Sequence, residues 1–242
     1  FSVLIALAIS FVIIFMVSDQ PLEAIKYLLI GPFTNKRSMG NVVESMIPLI
    51  FTGTGVCIMF SANQINLAGE GAFHIGGLIA SCVAIKLTAT FVSPFMALLC
   101  AGLVGALFTA IPAIMKITTT ASEMVSSLMI NYLALYFGNY MLNNVIGDPK
   151  ASAASYKLAD AAELPVLIPG TRVHLGFIIA IAVAVLGYFF LYRTKTGYEL
   201  RLAGENEEFA KYSGISIVKV IMISQLLGGF VAGLGGGVEM LS

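Results

Sequence analysis

The chain has 242 residues, of which 58% are hydrophobic and only 11% are charged, and its mean hydropathy is +0.94. A soluble domain typically carries about 25% charged residues, so the composition excludes an ordinary soluble domain and predicts an all-α, polytopic transmembrane helical bundle. The net charge is zero and no basic run occurs, which argues against nucleic acid as a partner.

About seven stretches are apolar enough and long enough to cross a hydrocarbon core of ~30 Å. They cover roughly residues 1–17, 42–60, 67–86, 92–115, 128–146, 173–192 and 217–238. Most connections are short, so we expect one membrane domain over residues 1–242. Because the chain starts at Phe1 and stops within a glycine-rich stretch, we also expect a fragment that lacks native sequence at both ends.

Two connections are longer than the rest. Residues 18–41 include PLEAIKYLLIGPF, whose Leu22, Ile25 and Leu28 recur at helical spacing, as in a helix that lies along the bilayer surface. Residues 147–172 contain three prolines and are too polar to be buried in lipid. Basic residues divide almost equally between the two sides of this topology, so charge alone does not fix its orientation.

The third and the last predicted spans are rich in glycine. FSANQINLAGEGAFHIGGL, at 60–78, combines glycines with Asn66, Glu70 and His74, and GLGGGVEML, at 233–241, contains Glu239. Small residues let helices approach closely in lipid, so both spans are predicted to pack centrally. A break or bend is also predicted at Gly69 and Gly71.

A dense polar island, RTKTGYELRLAGENEEFAKYSGI at 193–215, separates the last two spans. Asn206 can cap a short helix, Glu207 and Glu208 suit its first turn, Lys211 suits its last turn, and Gly214 suits its end. A helix of about seven residues cannot span, so it must lie across the membrane face. Such a helix is either a docking element for a soluble partner or an ordinary solvated loop helix.

This island resembles the cytoplasmic coupling loop of ABC-importer permeases that serve branched-chain amino acids, simple sugars and nucleosides. The matching positions are Arg193, Thr194, Gly197, Leu200, Arg201, Gly204, Glu205, Asn206, Ala210, Tyr212, Gly214 and Ile215. INLAGEGAFHIGG at 65–77, SEMVSSLMINYLALYFGNY at 122–140 and the glycine run near the end are similar to further segments of the group. The nucleoside-type branch is the nearest.

The resemblance implies a permease subunit in the plasma membrane of a prokaryote. It implies cytoplasmic ATPase subunits that bind ATP and Mg, a second permease subunit that is homologous or identical, and an extracytoplasmic solute-binding protein. The chain has no GxxxxGK[ST] motif, so we expect no enzyme activity, catalytic residue, cofactor or metal in this chain. The expected solute is a nucleoside, then a simple sugar, then a branched-chain amino acid.

The resemblance also assigns a coupling role to one group of residues around the short helix. These are Arg201, Gly204, Glu205, Asn206, Glu207, Glu208, Phe209, Ala210, Lys211, Tyr212 and Gly214. Glu207, Glu208 and Lys211 would supply polar contacts at the rim of an ATPase interface. Phe209 or Tyr212 would supply an aromatic anchor.

The presence of acidic and amide side chains within the predicted spans has to be explained, because inserting a charge at mid-bilayer costs about 2.5–3.5 kcal/mol. In the functional interpretation, Asn66, Glu70 and His74 face a solute path, which Asn131 and Glu239 could also line. In the structural interpretation, the same groups tie helices together through hydrogen bonds. The structural interpretation is favoured slightly for Glu70 and clearly for Glu44 and Glu123.

Two other classes of protein compete with the permease interpretation. An ion-coupled secondary transporter would use the buried Glu70 and His74, but it leaves the capped helix at 206–214 unexplained. An intramembrane enzyme is disfavoured, because the sequence lacks GxSxG and HExxH and its two histidines, His74 and His174, are far apart.

Overall fold

The computed structural model describes residues 1–17, 20–86, 92–119, 121–147 and 164–242. This part of the chain is helical and contains no strand beyond one isolated bridge. The helices are α1 (Ser2–Val17), α2 (Pro21–Thr34), α3 (Lys36–Ser61), α4 (Gly69–Lys86), α5 (Ser93–Thr119), α6 (Glu123–Asn144), α7 (Gly176–Arg193), α8 (Lys195–Glu205), α9 (Glu207–Tyr212) and α10 (Ile217–Met240).

Four of these helices, α3, α5, α7 and α10, are long and apolar enough to cross a membrane. The apolar α1 is shorter, at 16 residues. Helices α4 and α6 have 18 and 22 residues, but polar side chains such as Glu70 and Asn131 lower their hydropathy. The predicted helical membrane bundle is thus confirmed, whereas the count of seven spans stays a prediction.

Helix α10 forms the centre of the bundle and packs against α3, α4 and α5. Close approach is possible because glycines face one another where these helices cross. A methyl group added at Gly76 of α4 or at Gly105 of α5 would collide with the α10 backbone around Gly233. The predicted central packing of the third and last spans is therefore confirmed.

The bundle has two distinct ends. The α8–α9 end is the one at which α3, α5 and α7 finish and α6 and α10 start. At the opposite end, residues 164–175 fold back over the last turn of α10, and the amide of Leu164 donates to the carbonyl oxygen of Leu241 at 2.7 Å. Thr171 of the same segment contacts Gly40 near the start of α3. These described parts of the two long connections thus lie opposite the polar island, as expected.

Two helices begin well before the apolar spans predicted for them. Helix α3 begins at Lys36 rather than near 42, and α6 begins at Glu123 rather than near 128. Both helices continue through polar residues beyond their apolar stretches. Helix α2 was predicted, and its position along the bilayer surface stays a prediction. Residues 18–19 and 148–163 of the two long connections lie outside the described ranges.

Candidate functional site

The short helix of the polar island is α9, and its first turn is capped as predicted. The side-chain oxygen of Asn206 accepts a hydrogen bond from the amide of Phe209 at 3.0 Å. Glu207 and Glu208 occupy the first turn, where carboxylates suit the positive end of the helix dipole. Lys211 pairs with Glu207 at 2.8 Å, and this hydrogen bond is the main cause that raises the pKa of the Lys211 ammonium.

The end of α9 is also held by specific backbone hydrogen bonds. Gly214 has a φ of +80°, a conformation that a side chain disfavours. Its amide donates to the carbonyl of Lys211, and the amide of Ile215 donates to the carbonyl of Ala210, both at 3.0 Å. This pair of hydrogen bonds is a Schellman motif, so a helix of only six residues is capped at both ends.

One face of α9 is buried and the other is free. Ala210 packs with Ala62, Leu200, Ala203 and Val220 in a small apolar cluster that is separate from the main core. On the outer face, the exposed side chains include those of the two predicted aromatic anchors. Phe209 is 55% exposed and Tyr212 is 88% exposed. The geometry presents two aromatic rings and several charges on a fixed base, which suits a protein–protein contact.

Helix α8 precedes α9 and was not predicted. Its start was signalled in the sequence by Thr194, whose hydroxyl oxygen accepts from the amide of Gly197 at 3.0 Å. Gly204 lies against the backbone of Ser61 at the end of α3, with no room for a side chain. Helix α8 therefore attaches α9 to the bundle, and Gly204 lets α8 lie close to the end of α3.

Arg201 is directed to α7. Its Nε donates to the carbonyl oxygen of Leu191 at 3.1 Å, and its guanidinium lies 4.7 Å from the centre of the Tyr192 ring. The α8 helix is thus joined to the end of α7 by a hydrogen bond and a cation–π contact. Glu205, the last residue of α8, is exposed next to α9.

Residues 62–68, between α3 and α4, are not helical and enter the bundle from its α8–α9 end. The side-chain NH₂ of Asn131 donates to the carbonyl oxygen of Leu67 at 2.6 Å, and its Oδ1 accepts from the backbone amide of Gly71 at 2.9 Å. Asn131 lies about 12 Å along α6 at 1.5 Å per residue. The hydroxyl of Ser127 accepts from the amide of Leu67 at 3.1 Å. Irregular backbone at membrane depth requires such internal partners. The predicted break or bend is thus a break, and it lies at residues 62–68, just before Gly69.

A chain of polar side chains, all buried except the partly exposed Lys116, fixes this break to the rest of the bundle. Asn66 donates to Gln225 of α10 at 2.5 Å, and Gln225 in turn donates to Glu123 of α6. The other carboxylate oxygen of Glu123 pairs with Lys116 of α5 at 2.9 Å, and Lys116 also donates to Gln64 at 2.6 Å. We call these five residues the polar network. The structural interpretation of Glu123 is confirmed, whereas Gln225 and Lys116 were not identified from the sequence.

Three of the predicted solute-path residues line one cavity of about 520 Å³ between α3, α4 and α6. They are Asn66, Glu70 and Asn131, and the remaining lining is mainly apolar, including Leu49, Val56, Phe73 and Leu128. The two amides are already hydrogen-bonded within the protein. Glu70 is exposed at this cavity and makes no hydrogen bond or ion pair with another described residue.

The other two predicted path residues lie elsewhere. His74, one turn beyond Glu70 on α4, lines a second cavity of about 240 Å³ together with Ser81 and Asn139. Glu239 is exposed near the end of α10, in electrostatic range of Glu44. Within the described ranges, no group of three or more His, Cys, Asp or Glu side chains could hold a metal ion.

Residues 38–242 match the protein family described as branched-chain amino acid transport system / permease component. The guanosine ABC transporter permease protein NupP of Bacillus subtilis is 31% identical, over 87% of this chain and 62% of that protein. The glucose ABC transporter permease protein TsgB13 of Haloferax volcanii is 30% identical, over 99% of this chain and 66% of that protein.

The nucleoside ABC transporter permease protein NupB of Lactococcus lactis is 25% identical, over 90% of this chain and 63% of that protein. The chain therefore spans slightly less than two thirds of the length of these relatives. No solved structure matches it. Because the family match extends over most of its length, the chain belongs to the branched-chain amino acid transport system / permease component family.

Proposed function

We propose that this chain is the permease part of an ATP-driven ABC importer, with α9 as the element that docks on the ATPase. The main support for the proposal is the structure of α9. Its inner face is fixed to α8 and α10 through Ala210, and its outer face offers Phe209 and Tyr212. Movement of a docked ATPase would thereby be passed to α10 rather than absorbed by a loose loop.

ATP and Mg would bind to the ATPase partner, and hydrolysis would take place there. Two cytoplasmic ATPase subunits, a second permease subunit and an extracytoplasmic solute-binding protein would complete the importer. The α8–α9 end would then face the cytoplasm of a prokaryote, with the chain as a single permease domain of the plasma membrane. The binding protein would meet the opposite end, which residues 164–175 cover in part.

The solute that we favour is a nucleoside, followed by a simple sugar. Two of the similar proteins named above are permeases for guanosine and nucleosides, and one is a permease for glucose. The cavity beside Glu70 has mainly apolar walls, which suit a flat base. Since Glu70 can only accept hydrogen bonds when ionised, it suits a neutral solute that presents N–H or O–H donors. Membership of this family does not favour the ion-coupled alternative with Glu70 and His74.

Replacing both exposed anchors with Phe209→Asp and Tyr212→Asp tests the docking role of α9. We expect the ATPase to be lost during purification of the complex, because the interface would lose its two aromatic contacts. Co-purification from detergent extracts measures this loss. The matched control is Tyr27→Asp, an exposed tyrosine on α2 at the other end of α3. Full recovery of the ATPase with the double variant would show that α9 is not the docking element.

A further inference from the structure

A lateral groove separates α3 and α7 on the outside of the bundle. Its volume is about 250 Å³, and its walls are small, aromatic or aliphatic residues: Gly53, Thr54, Cys57, Ala184, Gly187, Tyr188, Leu191 and Tyr192. We call it the α3–α7 groove. Gly53, Cys57, Tyr188 and Tyr192 are exposed, so the groove is open to the surroundings of the bundle.

The groove lies within one leaflet of the membrane. Gly53 and the end of α3 at Ser61 are eight residues apart, which is about 12 Å of helix. Half of the hydrocarbon core is about 15 Å thick. The groove therefore runs from the α8–α9 end towards the bilayer centre, and Tyr192 stands at the level where aromatic side chains meet the headgroups.

The outer end of the groove is basic. The Arg201 guanidinium touches two of the residues that line it, through the hydrogen bond to Leu191 and the stacking on Tyr192. Arg193 and Lys195 follow within three residues of Tyr192 and are exposed. Glu199 is the acidic side chain closest to this group in sequence, and it lies 3.8 Å from Lys195.

We infer that the α3–α7 groove binds one anionic phospholipid. An acyl chain would lie between α3 and α7, and the phosphate would meet Arg201 with the neighbouring Arg193 and Lys195. An apolar channel that ends in a basic cluster at headgroup depth matches this ligand in both shape and charge. A free phosphate would use only the basic end, and a zwitterionic lipid would lack the net negative charge. This inference does not depend on the proposed transport function.

Native mass spectrometry of the purified full-length protein tests the site. We expect one phosphatidylglycerol to remain bound in preference to phosphatidylcholine when equal amounts are added. Gly53→Leu should lower the occupancy about tenfold by filling the groove, and Arg201→Gln should do the same by removing the charged contact. A Cβ atom added at Gly53 would meet no other atom within 4 Å, so the backbone there has room for a side chain.

Matched variants keep the test specific. Gly31→Leu adds the same side chain at another open position, on α2, and Lys219→Gln removes a different exposed charge at the α8–α9 end. Both should retain the lipid, as should Arg201→Lys. The inference would be overturned by equal retention of the two lipids or by unchanged binding in Gly53→Leu. It would also be overturned if glycerol phosphate competed with phosphatidylglycerol as well as the lipid itself does. The same holds if Gly53→Leu released a protein subunit while the lipid stayed bound.

Discussion

Glu70 and Glu123 show how differently two carboxylates of one bundle can be placed. Glu123 is buried and engages both Lys116 and Gln225. Glu70 is exposed beside the cavity of about 520 Å³ and has no partner in the described part of the chain. A carboxylate within a membrane bundle is costly to keep. Glu123 is explained by the bonds it makes, whereas Glu70 is left open to a solute or to a second permease subunit.

Glu70→Gln is therefore expected to reduce solute uptake. The amide keeps the size of the side chain but replaces a charged acceptor with a neutral group, and hydrogen bonds to charged groups contribute about 1.5–3 kcal/mol. Uptake of a labelled nucleoside by cells should fall roughly tenfold to a hundredfold, while the amount of assembled complex stays constant. Glu44→Gln, in the first part of α3, is the control. Unchanged uptake in Glu70→Gln would remove Glu70 from the solute path.

The two asparagines of the same cavity have a different role. Asn66 and Asn131 lie at its wall, but their amides are already bonded to Gln225 and to the backbone of residues 67–71. Their contribution is to hold the non-helical segment in place. Substitutions there would disturb the shape of the cavity, so they would not report on solute recognition alone.

At the scale of the element, α9 is a helix that could not persist by itself. Isolated helices shorter than about 12–15 residues are marginal in water, and α9 has six. It persists because Asn206 closes its start, the Schellman motif at Gly214 closes its end, and Ala210 is buried against α8 and α10.

Asn206→Ala is expected to loosen α9 by about 1 kcal/mol, the usual cost of losing a cap. Hydrogen exchange of the amides at 207–213 should become about fivefold faster, and the ATPase should bind more weakly. Asn206→Asp keeps an accepting oxygen and should behave as the unmodified chain. Equal exchange rates in the Ala and Asp variants would mean that the cap does not hold the helix.

At the scale of the whole molecule, the polar network joins parts of the chain that are far apart in sequence. Lys116 belongs to α5, Glu123 to α6, Gln225 to α10, and Gln64 and Asn66 to the break before α4. Helix α10 also carries the residues that pack against α9. The network thereby connects the α8–α9 end of the bundle to the wall of the cavity.

Lys116→Met is expected to destabilise the bundle more than Glu123→Gln does. The first change leaves a buried carboxylate without its ion pair, and the second leaves a lysine whose side chain is 32% exposed. We expect a loss of about 1–3 kcal/mol for Lys116→Met, less than for a fully buried pair. Unfolding by SDS in mixed micelles measures it.

The control for this change is Lys211→Met, which breaks an exposed ion pair with Glu207 and should leave bundle stability unchanged. Combining Lys116→Met with Glu123→Gln should recover part of the loss, since no buried charge then lacks a partner. Equal stability of Lys116→Met and the unmodified chain would show that the ion pair does not support the fold.

Much of the fold follows from the order of residues along the chain. Apolar runs predict the helices of the bundle, and glycines predict that α4 and α10 lie at its centre. Asn206, Lys211 and Gly214 predict α9. All of these signals act between residues that are close in sequence: a cap bonds an amide three positions away, and hydropathy is a property of one continuous stretch.

Other features of the fold and of the candidate site depend on contacts between distant parts of the chain. Helix α8 is stable because Leu200 and Ala203 pack with residues of α9, α10 and the end of α3, which no local pattern describes. The depth of the break at 62–68 depends on Ser127 and Asn131, about 60 positions later in the chain. Whether a polar side chain ties helices together or stays open to a ligand depends on which distant groups reach it, and only the folded bundle brings those groups together.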